Sequence, residues 1–221
     1  MPEKPSAGFR LIQQQAACAF ASRARIEAVP TFHGADAREA GLAAAPRMAD
    51  FAVRVEADAL DGLLIELSHA CHGASVDALA VATREVLSGL LAAEGEDAGA
   101  ALSEAGSDHW WLTLRGTRWF VLAFAPCYPA YSARFTFGSG STYLLLQPVM
   151  SFDRHATPQG AVIADEVRQM IRLAHVGAGC PYDSALAQQD VEALKFVWPL
   201  DRDDAPVRWW QSDTDAGKES V

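Results

Sequence analysis

Residues 110–126 read WWLTLRGTRWFVLAFAP, and after a loop rich in Gly and Ser residues 142–149 read TYLLLQPV. In the first stretch, two runs rich in aromatic and β-branched side chains flank a Gly116-Thr117 turn, the composition of an antiparallel β-hairpin. The second stretch is a further apolar strand. Its Pro148 places the strand end at an edge or a bulge, because proline has no N–H to give the ladder. The block from Trp110 to Asp153 is therefore expected to form the central sheet.

Working outward, Leu60, Leu63, Leu64, Leu67 and Cys71 lie on one stripe of an expected helix. Val76–Leu91 supplies another through Leu79, Val81, Val86 and Leu90, and the two are expected to form a helical hairpin turning at Gly73. Asp50–Glu56 alternates Phe51, Val53 and Val55 with polar or small residues, the period of a half-buried strand. Phe9, Ile12, Ala16 and Phe20 recur at helical spacing over Phe9–Arg25, an amphipathic helix broken near Ala17. Ala92–Asp108, acidic and rich in Ala and Gly, reads as a solvated linker or a frayed helix. Beyond the block, Ile163, Val167, Met170, Ile171 and Ala174 share a face of a helix over Pro158–Val176. Lys195–Gln211 mixes a short strand, a charged turn and a Trp pair that is expected to return over the sheet.

Helices gathered round a contiguous block of strands mark an α+β layer fold and not alternating βαβ units. The expectation is a small antiparallel sheet, hairpin 110–126 plus strand 142–149, packed by about four helices. It forms a single domain over residues 9–210, with disordered polar tails at 1–8 and 211–221.

The chain has 221 residues, 50% of them hydrophobic, enough for one sizeable core. Eighteen Lys and Arg against 28 Asp and Glu leave a net charge of −10. That balance lacks the basic footprint of nucleic-acid binding and repels anionic membrane surfaces, so neither is expected as a partner. The longest apolar runs fall far short of the roughly 20 residues of a membrane helix, and no secretory signal follows Met1–Gly8. Four cysteines stand far apart without a CxxC pair, which reads as free thiols in a cytoplasmic protein. No GxGxxG or P-loop follows a strand, so a dinucleotide or nucleoside-triphosphate site has no support.

Glu66 and His69 have the Glu-x-x-His spacing of di-iron bundles, but the second copy such a centre needs is missing. His69 and His72 then read as solvated residues near a helix C-terminus. The loop APCYPAYSAR at 125–134 carries a soft ligand in Cys127, a hydroxyl in Tyr128 and a fork-shaped cation in Arg134. Loops at strand ends are where scaffolds place function, although a thiol there is equally readable as buried and inert. Gln147, Asp153, Arg154 and His155 are expected to leave the next strand near the same end of the sheet. His155 reads as a metal or heme ligand or as a plain loop histidine. On the late helix Arg168, Arg172 and His175 form a stripe able to receive a carboxylate or simply to face solvent.

Four segments, in order, resemble the YqcI/YcgG family: AACAFA at 16–21, RGTRWFVLAFAP at 115–126 leading to Ser132 and Arg134, TYLLLQPVMSFD at 142–153, and EVRQMIR at 166–172 with DRDDAPVRWW at 201–210. Together they span about Phe9 to Trp210. The resemblance implies a heme-dependent monooxygenase of natural-product metabolism, oxidising a nitrogen of an amino acid or guanidine compound. It also implies O₂ as co-substrate, a small-molecule substrate and an electron-donor protein. One of Cys18, Cys127 and His155 would be the axial heme ligand. Tyr128 or Gln147 would hydrogen-bond near the bound oxygen, and Arg134 or Arg172, with Ser132, would hold a substrate carboxylate. The chain departs from the heme-bearing members, which carry His-Pro where Ala125-Pro126 stands and a second His near the position of Val149. The alternative is a cofactor-free small-molecule-binding domain that has lost heme, and a third reading is a non-heme enzyme using Glu66 and His69.

Overall fold

The computed structural model describes residues 3–18, 20–155, 165–177, 179 and 184–212. Its strands are β1 (Ile26–Ala28), β2 (Gly62–Leu67), β3 (Leu112–Leu114), β4 (Thr117–Phe124) and β5 (Thr142–Pro148), in the spatial order β1-β2-β5-β4-β3. The expected hairpin is present as β3–β4. Its turn is Arg115-Gly116, one residue earlier than anticipated, with φ of 53° and 69° at the two central positions, the positive pair that matches the twist of a hairpin. β5 lies antiparallel to β4 on one side and to β2 on the other, while β1 runs parallel to β2. The fold is α+β, with a mixed sheet larger than the antiparallel core expected.

Along the chain the helices are α1 (Ala7–Gln15), α2 (Ala37–Arg54), α3 (Val76–Ala93), α4 (Ala98–Ser103), α5 (Met150–His155), α6 (Asp165–Gly177) and α7 (Ser184–Ala187). Side-chain caps start four of them: Ser6 accepts from Phe9 N, Asp36 from Arg38 N and Glu39 N, Ser75 from Ala78 N, and Asp97 from Ala100 N. α2 and α3 cover one face of the sheet, burying Met48, Phe51, Leu79, Val86 and Leu90 against Leu63, Ile65, Val121, Leu144 and Leu146. Their backbones meet at two glycines. A Cβ on Gly41 would run into the Val86 carbonyl, and one on Gly89 into that of Arg38. α1 covers the other face more thinly, with Phe9 and Ile12 against Leu64, Phe124, Tyr143 and Leu145.

Several sequence expectations are corrected. Asp50–Glu56 is not a strand: its first five residues end α2, and Glu56 lies just beyond. Phe51 and Val55 are buried one helical turn apart, while Val53, the residue that completed the alternation, is 85% exposed. The expected helix over Leu60–Cys71 is β2, buried along its whole length. A strand covered on both faces shows a continuous apolar run and no alternation, so its leucines fell on a helical stripe by accident. The helical hairpin at Gly73 is accordingly replaced by strand, short 3-10 helix (Ala70–Gly73) and α3. Of the two readings of Ala92–Asp108, the helical one holds over α4, with Leu102 buried there and Ala105 buried just beyond it.

The N-terminal tail is partly built into the fold, since Ala28 N donates to the Glu3 carbonyl at 2.9 Å and Ser6 caps α1. The expected short strand within Lys195–Gln211 does not form among the described residues, yet the segment does return over the sheet. Phe196 and Trp209 are buried and stacked 5.5 Å apart, and the Phe196 carbonyl accepts from Ala123 N. Residues 213–221 lie outside the described residues, as does most of the expected helix N-terminal to Asp165.

These assignments carry measurable consequences. Phe51→Ala should cost about 3–5 kcal/mol, the usual range for emptying a buried aromatic site. Val53→Ala should stay within about 0.5 kcal/mol. Gly41→Ala should cost about 1–3 kcal/mol through overpacking. Urea denaturation of the three variants checks all of them, and an equal loss at positions 51 and 53 would contradict the helix.

Candidate functional site

Because β5 is antiparallel to both β2 and β4, those two strands run parallel to each other. Leu67 of β2 and Phe124 of β4 both end opposite the start of β5, beside Thr142 and Tyr143. β1 runs the same way, and its continuation is carried to this rim by the Phe32–Leu67 bridge. Three carboxyl ends therefore release their loops at one edge: Val29–His33, Ser68–Gly73 and Ala125–Tyr128. Loops in such a position are where an open sheet presents chemistry.

Backbone bonds lock these loops together. Phe32 N donates to the Glu66 carbonyl and Ser68 N to the Phe32 carbonyl, each at 2.9 Å, and Cys127 N donates to the Gly73 carbonyl at 3.1 Å. Gly73 allows the last contact, since a Cβ there would clash with Thr142 Oγ1, Pro126 and Ala125. Glu66, buried within β2, accepts from Thr31 Oγ1 at 3.3 Å. Glu66 and His69 are thus on a strand and the turn after it, not on one helix, so Glu-x-x-His spacing has no helical meaning here.

The turn His69-Ala70-Cys71-His72 gathers three metal-ligating side chains whose donor atoms lie within 4.8 Å of one another. His69 Nδ1 accepts the Cys71 N–H at 3.3 Å and stands 2.9 Å from Cys71 Sγ. His72 is buried, and its Nε2 lies 3.0 Å from the Gly34 carbonyl. A carbonyl only accepts, so Nε2 carries the proton and Nδ1, 3.7 Å from Cys71 Sγ, presents its lone pair. An open cleft of about 450 Å³ adjoins Cys71 and His72 and is also lined by Asp36, Val81 and Glu85. His33, in the loop after β1, has its Nδ1 2.7 Å from Ser68 Oγ.

The residues singled out from sequence distribute differently. Cys127 reaches the rim but is half-buried against the main core, and burial pushes its thiol upward, away from thiolate. Tyr128 is fully buried. Its hydroxyl donates to the Trp198 carbonyl at 2.8 Å and accepts from Trp198 N at 3.0 Å, and burial raises its pKa. Arg134, 3% exposed, lies between the Phe124 and Trp198 rings, 5.4 and 4.7 Å from their centroids, and donates to the Lys195 carbonyl. Ser132 Oγ accepts from Arg134 N. Tyr128 and Arg134 fasten the 126–134 loop to Lys195–Trp198, and Ser132 holds the loop's own backbone at Arg134.

Gln147 pairs with Phe120 and leads into Pro148 opposite Trp119, at the other end of the sheet from Cys127. The expectation that both loops leave near one end is corrected, because antiparallel neighbours exit at opposite ends. α5, which holds His155, follows at that far end; the His155 side chain lies outside the described residues, as does that of Arg168. Cys18 is half-buried and follows α1, the helix of the second face. Arg172 is half-buried on α6. Ala125, where heme-bearing members of the resembled family carry His, is a fully buried part of the core. Cys127, Tyr128, Gln147 and Arg134 therefore do not form one heme pocket.

The partnership of Cys71 and His72 is hidden in the sequence, because the leucine spacing before them suits a helix that would end at both. Reading GLLIEL as a strand would have put His-x-Cys-His in a loop at a strand's carboxyl end. The structural role of Tyr128 is testable: Tyr128→Phe leaves Trp198 N–H without its acceptor and should cost about 1–3 kcal/mol in urea denaturation. No protein-family model, curated protein or solved structure matches the chain.

Proposed function

We propose that this chain is a heme-free domain that binds a small polar molecule at the rim where β1, β2 and β4 end. One observation carries the reading: the loop that leaves β2 opens beside a cleft of about 450 Å³ in which Val81 and Ala82 meet Asp36, Cys71, His72 and Glu85. Small-ligand sites have this size and this mixture, apolar walls with a few convergent polar groups. The reading keeps the α+β architecture and sets aside the iron chemistry that the YqcI/YcgG resemblance implies. Support for leaving heme out comes from the buried Ala125 methyl and from the Cys127 thiol, which burial holds in its protonated form. An oxygenase with O₂ and an electron-donor protein would need an axial ligand with an open face opposite it, and the candidate at this rim, Cys127, is half-buried against the main core.

Protein expressed with heme precursor should give an ultraviolet-visible spectrum without a Soret band; a stoichiometric band would overturn the heme-free reading. For the ligand, a thermal-shift screen of small polar metabolites should find compounds that stabilise the parent. At one hundred times its Kd such a compound adds about 2.7 kcal/mol, or roughly 5–10 °C for a domain of this size. Val81→Trp, which fills the cleft from an exposed position, should abolish that shift.

A further inference from the structure

We propose that the His69-Ala70-Cys71-His72 turn binds one thiophilic divalent metal ion, through His69 Nδ1, Cys71 Sγ and His72 Nδ1, with a fourth position open to the adjoining cleft. The site rests on the reading of this rim as the ligand-binding edge and gives it a chemical identity. Zinc is the ion that an imidazole, imidazole, thiolate set fits best among the common divalent metals of cells, because nitrogen and sulfur donors disfavour magnesium and calcium.

The geometry of the donors is the first support. A tetrahedral zinc with bonds of about 2.3 Å to sulfur and about 2.0 Å to nitrogen holds sulfur and nitrogen about 3.5 Å apart. Cys71 Sγ lies 2.9 Å from one imidazole nitrogen and 3.7 Å from the other, so the two separations bracket that edge. Three donors already stand within 4.8 Å of one another, and side-chain rotation of the exposed His69 and Cys71 suffices to close on an ion.

The tautomers are the second support. His72 donates its Nε2 proton to the Gly34 carbonyl, the outer bond that metal-bound histidines use to fix ring orientation and raise ligand basicity. That bond is made to a residue 38 positions earlier in the chain, so the fold and not the local turn aims Nδ1 at Cys71. His69 Nδ1 is an acceptor for the Cys71 N–H, so its lone pair also faces into the turn. Neither imidazole needs to exchange tautomers to bind an ion.

The fourth position follows from what surrounds the turn. Of the two carboxylates in the cleft lining, Asp36 is occupied in capping α2 and Glu85 pairs with Arg84 at 3.4 Å. Cys71 is exposed and borders the cleft, which leaves the open side of the ion for water or a ligand atom. Three protein ligands plus an exchangeable fourth is the arrangement of zinc sites that handle ligands, in contrast to closed four-ligand structural sites.

The test uses the full-length chain, freed of metal by a chelator, and titrates Zn²⁺ and then Co²⁺ alone. Binding of one Zn²⁺ per chain is expected in calorimetry, with release of about one proton at pH 7 as the Cys71 thiol becomes thiolate. The Co²⁺ form should show a sulfur-to-cobalt charge-transfer band. Cys71→Ser should lose that band and bind at least about 100-fold more weakly, beyond the range that outer-shell changes produce. Circular dichroism should find it folded, since Cys71 is exposed. His109→Ala, at a fully solvated histidine outside the turn, should bind like the parent. No binding, no charge-transfer band, or binding unchanged in Cys71→Ser would each overturn the site. A Soret band in heme-supplemented protein would sink the heme-free reading and leave this result standing, so the two fail separately.

Discussion

The antiparallel pairing of β5 with both of its neighbours sets the rest of the structure. β5 is hydrogen-bonded along both edges and buried on both faces, through Thr142, Leu144 and Leu146 on one side and Tyr143 and Leu145 on the other. A slip of one residue in either ladder would turn its apolar side chains onto the wrong face, so the register is held by burial on two sides at once. Fixing β5 in this way makes β2 and β4 parallel without any direct bond between them. Residues separated by more than fifty positions, Ser68–Gly73 and Ala125–Tyr128, are thereby delivered to the same rim.

The parts of this arrangement that were legible in the sequence are those whose signal is local. WWLTLR and RWFVLAFAP announce a hairpin through aromatic and β-branched content around Gly116, and α3 announces itself through an apolar stripe behind Ser75. β2 gave a false signal because burial on both faces erases alternation, leaving leucines whose spacing happens to suit a helix. The end of α2 misled for the opposite reason: exposed Val53 inserted an apolar residue into a polar face and mimicked a period of two. Each error involved a residue whose environment is decided by elements far away in the chain.

The same distinction separates the chemistry that was anticipated from the chemistry that is present. Tyr128, Ser132 and Arg134 looked functional because polar groups in a proline-bounded loop invite that reading. In the folded chain Tyr128 and Arg134 engage the backbone of Lys195–Trp198 and two aromatic rings, and Ser132 accepts from Arg134 N within the loop. A buried guanidinium is tolerable only when so enclosed, because its desolvation must be offset by hydrogen bonds and ring faces. The loop is therefore a fastening that holds the returning C-terminal segment, with its Phe196–Trp209 stack, over the sheet.

His72 shows the converse. Its Nε2 proton is placed by the Gly34 carbonyl, far off in sequence, and Gly34 is held in place by the segment that joins β1 to α2. That segment is anchored in turn by Phe32 N on the Glu66 carbonyl and Ser68 N on the Phe32 carbonyl. The parallel pairing begun at Ile26–Gly62 and carried on to Phe32–Leu67 thus decides which nitrogen of a histidine five residues beyond β2 has a free lone pair. A change that loosened the short β1 strand, such as one that removed the Arg54–Glu27 ion pair tying it to α2, would act on the rim through this hydrogen bond before it touched any ligand atom directly.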